Sequence, residues 1–173
     1  MRTNYGVSVA AVFMVIIWST FGALRTQTAT QEQGALAKAL TPVSATLESG
    51  IAAAEAQGTP ISAKFEMDKD ALQLSVYMMK GTAFSEVIVD YKTGKIAKTE
   101  PITTGEDFTA AKQQGAAMSK ATMPLRSAVA TAVKANSGYR AVSATPAMNA
   151  GHPVATIELV NGTMFKTISQ KLD

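Results

Sequence analysis

The chain has 173 residues, of which 47% are hydrophobic, 17% charged and only 6% aromatic, and its 16 Lys and Arg against 13 Asp and Glu leave a formal net charge of +3. That length supplies one or two small domains with a buried core, and the near balance of charge, without a run of Lys or Arg, makes nucleic acid a poor partner. No cysteine is present, which removes disulfides and thiolate metal sites from consideration.

From Val7 to Leu24 the sequence runs without a charge, between Arg2 and Arg25. Such a segment enters a membrane. Its length falls between a secretory core of roughly 7 to 15 residues and a spanning helix of about 20, so residues 1–24 read as a signal peptide or a retained anchor. Thr20 and Gly22 supply small residues for cleavage, whereas Trp18 and Phe21 suit it poorly. Either way the remainder is expected outside the cytoplasm, in the periplasm or on the outer face of the membrane, soluble or N-terminally anchored. Residues 25–39 read as a polar spacer and helix start.

An Ala-rich helix over about 43–57 is closed by Gly58, followed by a strand near Ile61 to Met67, a turn at Asp68-Lys69-Asp70 and a strand near Leu72 to Met79. The text Val87-Ile88-Val89-Asp90-Tyr91-Lys92-Thr93-Gly94-Lys95-Ile96 then spells a β-hairpin. A β-branched strand ends at Asp90, whose side chain suits a loop cap, and Gly94 suits a left-handed backbone position.

This succession of one helix and three strands, closing on Val89-Asp90-Tyr91-Lys92-Thr93-Gly94-Lys95, resembles the PepSY domain, a small extracytoplasmic module. The likeness covers residues 40–100. It implies a helix laid on a small antiparallel sheet, and a binding or regulatory role, most often the local restraint of a peptidase. Since no peptidase domain accompanies it here, such a target would be met in trans. Asp90 and Gly94 are structural turn residues under this reading.

Residues 101–122 read as a helical connector. Thr103 to Asp107 resembles a helix start with acidic residues at the positive end of the dipole, Gly115 weakens its centre, and Thr122 and Pro124 mark the cap and first turn of the next helix. Residues 123–173 then repeat the first unit in degenerate form. Leu47-Glu48-Ser49-Gly50-Ile51 aligns with Leu125-Arg126-Ser127-Ala128-Val129, and Gly81-Thr82-Ala83-Phe84 with Gly162-Thr163-Met164-Phe165. The fold class expected is therefore α+β, an N-terminal signal or anchor helix followed by two PepSY-like units. They form either a tandem pair or one continuous sheet, packed through a sheet edge or through the helices.

Little in the sequence points to catalysis. His152 is the single histidine, between Gly151 and Pro153, too few donors for zinc. No serine sits in a nucleophile elbow, Glu66, Asp68 and Asp70 lack the spacing of a calcium loop, and Met78-Met79 falls on opposite faces of a strand. The expectation is a non-enzyme without cofactor or metal. Its partner would be a protein outside the cytoplasm, bound through a sheet edge, with Ser85, Val87 and Val89 as the candidate interaction strand and Val154 to Val160 as the second candidate. The competing expectation is a structural or assembly subunit of a membrane complex, held by residues 7–24 if they are not cleaved.

Overall fold

The computed structural model describes residues 24–173, with side chains from Gln31 onward. The segment expected to act as signal peptide or anchor, except for Leu24, lies outside these residues. No described helix is long and apolar enough to cross a membrane.

The fold is α+β, with four α-helices and one seven-stranded antiparallel sheet among the described residues. Helix α1 (Leu24–Leu40) and α2 (Leu47–Ala54), extended by a short 3₁₀ turn, precede strands β1 (Thr59–Asp68), β2 (Ala71–Lys80), β3 (Ala83–Asp90) and β4 (Lys95–Ile102). Helices α3 (Gly105–Met118) and α4 (Leu125–Ala135) precede β5 (Arg140–Asn149), β6 (His152–Asn161) and β7 (Met164–Lys171). The strand order is β4-β3-β2-β1-β5-β6-β7, so the two antiparallel runs are joined through their first strands into a single continuous sheet.

The turn residues explain the hairpins. Lys69 and Asp70 both take positive φ between Asp68 and Ala71, as Ala150 and Gly151 do between Asn149 and His152. Two successive positive φ values give the twist that a two-residue hairpin turn needs. Gly81 and Gly162 open the other two-residue turns, at φ 62° and 58°. An extra residue interrupts each first hairpin, at Ile61 between Pro60 and Ser62 and at Val142 between Ala141 and Ser143. These bulges lie 81 residues apart, as do the glycine turns. At the join, Ala63 pairs with Ala144, again 81 residues on.

Strand alternation sorts the side chains into two faces. Leu74, Val76, Met78, Val87 and Val89 share one face and are buried. Helix α2 lies on it, with Gly50 so close that a Cβ there would stand 2.5 Å from Leu74. Thr46 caps this helix by accepting from the Ser49 N–H at 3.1 Å. Met79 and Phe84 point to the other face, where α3 sits, with Gly115 against both and Phe108 edge-on to Phe84.

Three sequence expectations need correction. Residues 25–39 are not a spacer: they lie within α1, and Gln33 reaches Glu158 of β6 across 2.9 Å. The helix expected over 43–57 begins only at Leu47, because Val43 to Ala45 carry the chain between helices. Pro124 stands at the N-cap of α4 rather than inside its first turn, and Thr122 caps nothing; its N–H and hydroxyl both donate to the Leu172 carbonyl.

Arg140 clamps the passage from α1 to α2. Its guanidinium donates to the carbonyls of Leu40 at 3.2 Å, Val43 at 2.7 Å and Ala45, and lies over the Phe65 ring. Burial pushes its pKa down; the Leu40 carbonyl also accepts from the Val43 N–H at 3.0 Å, so the carbonyls that depend on the guanidinium are those of Val43 and Ala45. Arg140→Met is expected to lower stability by about 2 kcal/mol, since bonds to a charged donor are lost and acceptors are left unpaired. Urea unfolding of the full chain measures this, and an unchanged midpoint would show that the clamp contributes nothing.

Candidate functional site

The hairpin from Asp90 to Lys95 is held by turn chemistry. The Asp90 carboxylate accepts from the N–H of Lys92 at 2.8 Å and of Thr93 at 3.3 Å, and its carbonyl accepts from Gly94 at 2.7 Å. The Lys92 N–H, with help from Thr93, keeps the Asp90 carboxyl below its ordinary range. Gly94 has φ 69°, the left-handed position that a side chain strains. Both residues serve the loop, and nothing they touch could be activated for catalysis.

The candidate interaction strand is corrected by the sheet order. Ser85, Val87 and Val89 pair with Met78, Val76 and Leu74 of β2 on one side and with Pro101, Thr99 and Ile96 of β4 on the other. Strand β3 is interior because the tight hairpin folds β4 back along it. Its main-chain groups face strands on both sides, and Val87 and Val89 are buried. The second candidate, Val154 to Val160, lies in β6 between β5 and β7. The open edges belong to β4 and β7.

These two edges differ. Strand β4 carries a bulge at Ala97, the non-donating Pro101, Lys95, and Lys98 paired with Glu100 at 2.8 Å, all devices that discourage a further strand. Strand β7 has none of the first two: its eight residues pair with β6 without a register shift, and it contains no proline. Past Lys171, Leu172 still lies beside β6. The Leu172 N–H donates to the Pro153 carbonyl, and its own carbonyl accepts from Thr122 and Met123. Asp173 meets the His152 Nδ1 at 2.5 Å, a bond that lowers the Asp173 carboxyl. His152 is thus an exposed residue at the start of β6, beside the turn, tied to the Asp173 carboxylate.

A second concentration of polar groups lies on the α3 face. Lys64 meets Glu66 at 2.5 Å, Ser75 donates to Glu66 at 3.0 Å, and Gln73 donates to Ser75 at 2.9 Å. Lys64 also lies over the Tyr77 ring. Burial, then the Glu86 carboxylate, pushes the Tyr77 hydroxyl far up. Burial likewise raises Glu86 and Asp107. From α3, Asp107 lies near Lys64 and Glu66 with one oxygen unpartnered, and the amide oxygen of the buried Gln114 on the same helix also has no hydrogen-bond partner. Glu66, expected in an acidic turn with Asp68 and Asp70, instead points into this network.

Sequence reading missed this network. Polar residues at every second position of β1 and β2 announce a solvated face, and only tertiary packing brings α3 over it. Met78 and Met79 fall on the two faces, under α2 and α3 respectively.

Among the described residues no group of three or more His, Asp or Glu could hold a metal. Two shallow concavities lie elsewhere, a cleft of about 470 Å³ beside Arg140 and one of about 300 Å³ between the Asp68 turn and Tyr91. Neither brings a nucleophile to a base. No family model, no curated protein and no solved structure matches the chain.

Two expectations follow. Gly94→Val should cost about 1–2 kcal/mol through backbone strain at φ 69°; thermal unfolding reads this, and an unshifted melting temperature would exclude strain at the loop. Glu86, with a folded pKa raised by burial, favours folding in its protonated form. That contribution is complete below its unfolded pKa and is lost as pH rises through the folded value. Glu86→Gln, which keeps an acceptor for Tyr77, should therefore raise the melting temperature at pH 7.5 and leave it unchanged at pH 3.5. A loss at pH 7.5 with none at pH 3.5 would show that the carboxylate is favourable where it lies.

Proposed function

We propose that this protein is a non-enzymatic binding or regulatory protein acting outside the cytoplasm, built from two PepSY-like units fused edge to edge. Its partner is a protein whose extended segment pairs with the open side of β7. A peptidase met in trans is the target class that the resemblance implies. Export rests on the uncharged run from Val7 to Leu24. The duplication is supported by the recurrence of bulges and glycine turns 81 residues apart.

The observation that carries the reading is the contrast between the sheet's two ends. A strand edge left without bulge or proline offers main-chain donors and acceptors to any extended segment, and peptide recognition by strand addition uses such edges. At β4 that route is obstructed.

A photo-crosslinking residue placed at Thr167 of β7 in the full chain, expressed in its native cell envelope, should capture a discrete protein. The same residue at Thr99 of β4 should capture none. Capture from β4 with none from β7, or from neither, would overturn the proposal.

A further inference from the structure

We infer that the segment received by β7 is acidic and lies antiparallel to it, as β4 lies against β3, with carboxylates about five residues apart. The inference rests on the binding reading above and specifies the occupant's direction and charge.

The fold supplies the template for the seat. Strands β3 and β7 occupy corresponding places: each follows a two-residue turn opened by a positive-φ glycine, Gly81 or Gly162. Each sets a phenylalanine opposite an apolar residue of the strand before it, Phe84 on Met79 and Phe165 on Val160. Beside β3 the corresponding position is filled by β4, antiparallel from Phe84↔Ile102 to Asp90↔Lys95. Beside β7, no described strand fills it. The main-chain groups of Leu172 are taken by Pro153, Thr122 and Met123, none of them on the open side of β7.

Charge selects what fits. The ionisable side chains of β7 are Lys166 and Lys171, with no acid on the strand. Five positions apart, they project to opposite faces of the sheet. Lys166 donates to the amide oxygen of Asn136 at 2.6 Å and lies near the Tyr139 ring, contacts that fix its position without cancelling its charge. An antiparallel neighbour with a carboxylate opposite each lysine gains two favourable cross-strand pairs, whereas basic residues there are opposed. A strand with the register of β4 would set Lys95 opposite Lys171 and the non-donating Pro101 opposite Lys166, the wrong chemistry for this seat.

The test uses the full chain in mild detergent and two blocked octapeptides, Thr-Glu-Val-Thr-Val-Thr-Glu-Thr and the same sequence with Lys for both Glu. The acidic peptide should perturb the amide resonances of β7, and should bind roughly tenfold more tightly than the basic one, at about two- to fivefold per charge pair. The double variant Lys166→Glu, Lys171→Glu leaves the main chain intact and should reverse the preference. Perturbation confined to other strands, equal binding of the two peptides, or a preference that survives the charge reversal would each overturn the inference. So would a peptide-independent dimer in sedimentation that protects β7, since a second copy would then be the occupant. Equal binding at β7 would leave the strand-addition reading standing, which separates the failure of this inference from the failure of that one.

Discussion

The pairing of β1 with β5 makes one sheet out of two antiparallel runs. The register there is short, Ala63 with Ala144 and Lys64 with Ser143, reinforced by the Ser62 hydroxyl donating to the Ala144 carbonyl at 3.2 Å. Both alanines are fully buried, and as a directly opposed pair they share the Val76 face, where their small side chains let α2 approach the seam. The bulges at Ile61 and Val142 stand two residues before Ala63 and Ala144. A bulge sharpens strand twist, so the flanking runs turn away from the seam quickly and the straight pairing stays short. The helices make good what the ladder lacks: α2 touches β5 as well as its own strands, and α3 touches strands on both sides of the join.

Joining the first strands has a consequence for the rest of the molecule. In an antiparallel run, consuming the inner edge at the seam leaves the last strand of each run at the outside. One end is then β4 and the other β7. An open sheet cannot lose its ends without closing into a barrel, and natural sheets defend ends individually. Here the defence is unequal. The bulge and proline fall on β4, and β7 is left with lysines alone, a defence that works against basic or apolar neighbours and fails against an acidic one.

Local chemistry was legible in the sequence, and distant packing was not. The hairpin at Asp90 to Gly94, the strand bounds around Asp68 to Asp70 and the helix over Gly105–Met118 follow from residues close to one another, where turn and cap preferences act directly. The α1 helix was obscured because Thr26 to Gln33 is polar, and polarity in a short window does not distinguish a spacer from a helix with few buried positions; Ala37 and Leu40, further on, make its buried contacts. The interaction strand was misplaced for a related reason. A β-branched run such as Val87 to Val89 fits an interior strand as well as an edge. Only the partner on its far side decides, and here that partner is β4.

The two faces of the sheet are held by different physics, and this bears on which helix can move. Under α2 and α4 lie Leu74, Val76, Ile157 and Leu159, all fully buried, so lifting those helices would bare apolar surface at about 25 cal/mol per Å². Under α3 the apolar contacts include Phe108 on Phe84 and Gly115 on Met79 and Phe84, beside the buried Ala111, Ala117 and Met118. With them is the layer of Lys64, Glu66, Ser75, Tyr77 and Glu86, near which Asp107 leaves an oxygen unpaired. A partly satisfied polar network returns to water at little cost, because its groups regain the hydrogen bonds they lack. The seating of α3 is therefore weakest at its Asp107 end, over the polar layer, while the buried Ala111, Ala117 and Met118 hold the remainder of the helix against the sheet.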